Sequence, residues 1–169
     1  GKDELSSLSK AIADAKMPDY QAGYEQMCSN VMAGLTGLNL VYESVGMHAS
    51  LLGFCLESLI LGDDMLGQAQ RCVRGIEVND DTTSLEIIKQ TCLDGPGHYL
   101  GSDQTLSLMQ TEYVYPNLGD RTSPKEWLEI GKPDLIKNAI KKKNEILSKP
   151  SSAEFNSELD ASIRKMFKI

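Results

Sequence analysis

Histidine is scarce in this 169-residue chain: there are only two, His48 and His98, far apart along the sequence. That excludes the usual His-rich zinc site. The four cysteines, Cys28, Cys55, Cys72 and Cys92, form no Cys-x-x-Cys pair. A zinc knuckle or thioredoxin-like redox motif is therefore excluded, and free, buried thiols in a cytoplasmic protein are expected. Long hydrophobic runs are also missing. The longest apolar stretch, from Leu51 to Leu61, is broken by Gly53, Glu57 and Ser58. It falls short of the roughly 20 apolar residues a membrane span needs. Lys2, Asp3 and Glu4 lead into a Ser-rich stretch, not the apolar core of a signal peptide. Positive charge is in deficit, with 17 Lys and Arg against 24 Asp and Glu, a net charge of -7. Phosphate binding needs a basic face, so nucleic acid is not the expected partner. The one basic run, Lys141-Lys142-Lys143, falls in a helical pattern and reads as a solvated helix face. No internal repeat is visible.

What the chain has is helix punctuation. Apolar residues make up 41% of it, enough for a core at this length. Asp19 is placed to cap a helix whose Tyr20, Tyr24, Met27, Val31 and Leu35 form one apolar stripe. Gly34 and Gly37 end it. A second helix is expected from Leu51 to Leu61, broken by Gly62, and a third from Asp63 to Arg74, stopped by Gly75. Thr83-Ser84-Leu85-Glu86 reads as a capping box for a fourth. Ser102 or Asp103 caps a fifth. Ser123-Pro124-Lys125-Glu126 combines cap, N1 proline and N3 carboxylate. Pro133 opens a long helix to Leu147, and Ser151 with Glu154 caps a last amphipathic one.

Strand signals are few. Leu38-Asn39-Leu40-Val41-Tyr42-Glu43 is the best, with Gly46-Met47-His48 as the loop after it. One parallel strand cannot make a sheet, since its edges stay unpaired. The expected class is α/β, as a largely helical slice of a larger wound sheet. The chain is accordingly read as the carboxy-terminal piece of a larger enzyme, and a homo-oligomer is expected, because the strand faces need a cover. The alternative left open by the residues is a stand-alone helical interaction module without catalytic activity.

Several segments together resemble the trimethylamine methyltransferase family. These are Asp14 to Glu25, Gly37 to Met47, Asp94 to Leu100 with Gln104-Thr105-Leu106, and Pro116 to Arg121 with Trp127 and Gly131. Each is weak alone; their order and spacing are specific. The resemblance implies a carboxy-terminal portion of a (β/α)8 barrel of the TIM type, with residues 1–120 supplying barrel strands and helices and 121–169 a helical extension. It implies transfer of a methyl group from trimethylamine, or a related amine such as glycine betaine, to a corrinoid protein. No cofactor is expected on the chain itself; the corrinoid (cobalamin) is carried by that partner. Some members carry pyrrolysine upstream of the Asp-Ala-Lys segment, and no such position is present here. Where many members have histidines, the helix near Gln104 has Gln104 and Leu108.

Demethylating an amine requires apolar or aromatic walls and negative charge near the cationic nitrogen. Glu43, at the carboxy end of the expected strand where α/β sheets bind ligands, is the candidate catalytic residue. A surface carboxylate is the competing reading. Tyr42, Gln21 and His48 are candidate substrate-binding residues, with an exposed loop histidine and a helix-surface glutamine as the alternatives. Asp120-Arg121 reads as a structural ion pair.

Overall fold

The computed structural model describes residues 13–150 and 156–168. Ser151 and Glu154, the expected cap of the last helix, lie outside the described residues. The architecture is mostly helical, with one small two-stranded sheet. Helix α1 spans Tyr20–Leu35, and the Asp19 carboxylate accepts from the Ala22 N–H at 3.1 Å, as its cap position requires. The helix closes through Leu38 N–H to Ala33 O (3.3 Å) and Gly37 N–H to Gly34 O (3.0 Å). That pattern needs a left-handed residue at Gly37, whose φ is +77°.

The expected strand at 38–43 is instead a loop. Among the described residues no second strand lies beside it, and a lone strand cannot pair its N–H and C=O groups. Glu43 turns the chain with φ +57°. The strands that do form are β1 (Met47–His48) and β2 (Gly53–Phe54), an antiparallel hairpin pairing Met47 with Phe54 and His48 with Gly53. It replaces both the loop expected at 46–48 and the first turn of the helix expected from Leu51.

Helix α2 runs unbroken over Leu56–Arg74, straight through Gly62. Gly62 is buried, and a Cβ there would collide with Val45. This glycine marks a close approach of loop to helix, not a helix end. Two short helices follow, α3 (Asp80–Thr83) and α4 (Leu85–Cys92), separated by Ser84 at φ +57°. The capping box falls one turn earlier than the sequence suggests, between Asn79 and Thr82. Helix α5 (Asp103–Thr111) is capped by Ser102, α6 (Pro124–Glu129) by Ser123, and α7 (Leu135–Leu147) by Asp134. Helix α8 covers Ser157–Phe167.

α1 packs on α2, and α2 on α7. The seam is built from small residues: Ala22, Ala33, Ala69 and Ala139 are all buried, and among the described residues no large side chain is fully so. The face α1 turns inward is not its apolar stripe. Gln26 and Asn30 are buried, donating to Met47 O (3.4 Å) and Ser44 O (3.0 Å). Tyr20 and Leu35 of the stripe are 86% and 60% exposed. The cysteines also differ from expectation: all four are free, but Cys28, Cys72 and Cys92 are exposed and Cys55 half-buried.

Among the described residues, two ionic tethers join the helices. Arg71 meets the Glu112 carboxylate at 2.5 Å and Arg74 meets it at 3.1 Å, fastening α2 to the end of α5. Lys143 of α7 donates to Glu57 of α2 at 2.6 Å. That bond, joined by backbone and Cys55 donors, pulls the Glu57 carboxyl from its ordinary 4.5 to about 2. A depressed carboxyl pKa stabilises the fold above its unfolded value and loses that contribution as pH falls toward the folded one. The docking of α7 on α2 should therefore weaken between pH 4.5 and about 2. In an acid titration followed by circular dichroism, Glu57→Gln should flatten the curve across that window. Superimposable curves for variant and parent would show that the tether carries no stability. The expected Asp120–Arg121 pair is absent among the described residues; Asp120 instead accepts from Thr122 Oγ1 at 2.8 Å.

Candidate functional site

The four residues singled out from the sequence do not converge. Tyr42 and Glu43 lie in the exposed loop after α1. Gln21 is exposed on α1 and donates to Glu25 Oε1 at 2.7 Å. Glu25 in turn accepts the Ala15 N–H at 3.1 Å, and Ala15 O accepts from Ala49 N–H at 3.0 Å. Gln21 is thus linked through three residues to the hairpin that carries His48. His48 is not an exposed loop histidine: it is 4% exposed, with Nε2 at 2.6 Å from Ser58 Oγ. Its Nδ1 is buried and has no hydrogen-bond partner among the described residues. Which of the two groups donates in the His48–Ser58 bond depends on the imidazole tautomer.

Ser58 opens onto a cavity of about 570 Å³ between α1 and α2, closed at one end by the start of α7. Its walls include Tyr20, Tyr24, Leu61, Met65, Asp19 and Asp64, and among the described residues no Lys, Arg or His lines it. The two tyrosine rings meet edge to face, with centroids 5.6 Å apart. Asp64 Oδ1 accepts the Asn117 N–H at 2.6 Å, which draws the loop after α5 to the rim. The helix period explains the assembly: Tyr20 and Tyr24 are one turn apart on α1, and Leu61 and Met65 one turn apart on α2. Both tyrosines were visible in the sequence as members of an apolar stripe. Asp64 was not, because only the fold brings it opposite α1. Among the described residues, no group of three or more His, Cys, Asp and Glu side chains is placed to hold a metal. No described helix is long and apolar enough to cross a membrane.

A family model described as trimethylamine methyltransferase matches residues 5–168, nearly the whole chain. The chain belongs to the trimethylamine methyltransferase family. Similar proteins include trimethylamine methyltransferase MttB of Methanosarcina thermophila, 29% identical over 160 residues, which are 92% of this chain and 32% of that protein. Another is the glycine betaine methyltransferase of Desulfitobacterium hafniense strain Y51, 28% identical over 154 residues, 90% of this chain and 31% of that protein. The MttB of Desulfitobacterium hafniense strain DCB-2 is 27% identical over 161 residues. The chain spans about a third of the length of these relatives.

Proposed function

We propose that this chain is one part of a methyltransferase that takes a methyl group from trimethylamine, or from a related amine such as glycine betaine, and passes it to a corrinoid protein. The observation that carries the reading is the family match over residues 5–168 combined with coverage of only a third of the relatives. In the transfer the N–CH3 bond breaks, nitrogen keeps the bonding pair, and the methyl group leaves without it. The partner protein's corrinoid would accept the methyl group and supply the electron pair of the new bond. The chain's share is to complete a (β/α)8 barrel and the amine's surroundings, and alone it is inactive.

The outward apolar stripe of α1 supports this incompleteness. An isolated soluble domain turns such a stripe inward. Here Tyr20, Tyr24 and Leu35 face out while Gln26 and Asn30 are buried. The remaining polypeptide, or a second subunit, would cover Leu35 and the outer sides of the two tyrosines, which otherwise line the cavity between α1 and α2. Roles for Glu43, Tyr42, Gln21 and His48 toward the amine belong to the same reading. Glu43, exposed now, would meet the cation once upstream segments close around its loop.

The test pairs the full-length enzyme with its corrinoid protein and follows cobalt methylation spectroscopically, with trimethylamine and with glycine betaine as donors. One of them should methylate the cobalt, and Glu43→Gln should slow the reaction. If no methylated amine serves as donor, the reading fails; if Glu43→Gln leaves the rate unchanged, Glu43 leaves the mechanism.

A further inference from the structure

We infer that the cavity between α1 and α2 binds a small methylated ammonium ion, with the Tyr24 ring against its methyl groups and Asp64 opposite its charge. The inference rests on the methylated-amine reading above and adds a second place for the ion, apart from the Glu43 loop, which does not line this cavity. A methylated ammonium spreads its charge over methyl groups, which cannot donate ordinary hydrogen bonds. It is recognised by aromatic faces, apolar walls and nearby carboxylate, and it is excluded where a Lys or Arg competes. The cavity has that make-up: two carboxylates, two tyrosines, the Met65 thioether and, among the described residues, no cationic side chain.

The two carboxylates are not equivalent. Asp19 Oδ1 is committed to the Ala22 N–H and offsets the positive end of α1. Asp64 spends one oxygen on Asn117, and its Oδ2 has no hydrogen-bond partner among the described residues. It is half-buried, so its charge acts through a medium less polar than bulk water. Tyr20, edge-on to Tyr24, braces that ring. At the floor Ser58, only 3% exposed, is fixed by His48. The site is built from four separate stretches of the chain, within 18–26, within 58–68, at Gly119 and at 135–136.

The experiment is an NMR titration of the full-length polypeptide with tetramethylammonium and with tert-butanol, a neutral molecule of similar size. Signals of the Met65 methyl and the Tyr24 ring report on the cavity. Tetramethylammonium should bind roughly tenfold tighter than tert-butanol. Tyr24→Leu keeps the apolar wall but removes the π face, and should weaken tetramethylammonium roughly fivefold. Tyr24 is not among the buried residues of this chain, and Asp64→Asn supplies a second variant should Tyr24→Leu fail to fold in the full-length polypeptide. Asp64→Asn should also weaken it, and Asp63→Asn, on the solvent side of α2, should not. Equal affinity for the cation and the alcohol, or no response to Tyr24→Leu, overturns the inference. Binding is read without turnover, so the two claims separate. An enzyme that demethylates amines while the ion ignores the cavity removes the cavity and leaves the activity. One that demethylates nothing but still holds the ion here does the reverse.

Discussion

Gly62→Ala is expected to destabilise the protein, while Gly67→Ala, in the same helix, is expected to stabilise it. Both glycines lie inside α2. On helix propensity alone each change to alanine gains about 1 kcal/mol. At Gly67 a Cβ meets nothing within 4 Å, so that gain stands. At Gly62 the new Cβ runs into Cβ and Cγ1 of Val45. Valine is stiff at χ1 and cannot swing aside, so the loop or the helix must move. Overpacking of this kind costs about 1–3 kcal/mol, which outweighs the propensity gain. Gly62→Val compounds the collision and should lose more. At about 2–4 °C per kcal/mol, the two alanine variants should separate on opposite sides of the parent in a thermal melt. Adding Val45→Ala to Gly62→Ala removes the Cγ contacts and should recover part of the loss. If the two alanine variants move together, α2 does not meet the Val45 loop as described.

That glycine also shows where sequence reasoning reaches and where it stops. The caps at Asp19, Ser102 and Ser123 were legible, because a cap is a contract between residues three apart. Each of the three accepts the expected backbone N–H. Gly62 reads locally as a helix break; only Val45, seventeen residues upstream in sequence and adjacent in space, explains it. The strand at 38–43 failed for a related reason. Alternation shows that a segment could lie in a sheet, but pairing needs a neighbour, and none of the described residues supplies one. The candidate site divides the same way. Tyr20 and Tyr24 announce themselves by their one-turn spacing. Asp64 and Ser58 join them only through the crossing of two helices, which no local pattern encodes. His48 was placed by sequence in a loop at the right point of the chain. Its burial comes from the hairpin that pairs it with Gly53.

Leu35→Lys should cost the full-length enzyme of the order of 3 kcal/mol or more, although Leu35 is an exposed residue of this chain. The position is chosen to separate two kinds of surface. Leu35 is the last residue of α1, where a lysine interacts favourably with the helix dipole. Lysine is also nearly as good a helix former as leucine. If the stripe faces water, the change is neutral within about 0.5 kcal/mol or slightly favourable. If the rest of the polypeptide or a second subunit covers the stripe, an ammonium group must be driven into an apolar contact. The loss of leucine burial alone is then about 1.5–3 kcal/mol, before the charge is counted. Denaturant unfolding of the full-length enzyme reads the difference directly, and sedimentation of the variant tells whether the covering partner was a second subunit. A neutral result would mean that α1 tolerates its inverted amphipathicity in water. Only the greater length of the relatives would then point to a covering partner. A large loss would make α1 an inside helix of a larger body. The polar face it buries against the hairpin, through Gln26 and Asn30, would then be the weaker of its two interfaces.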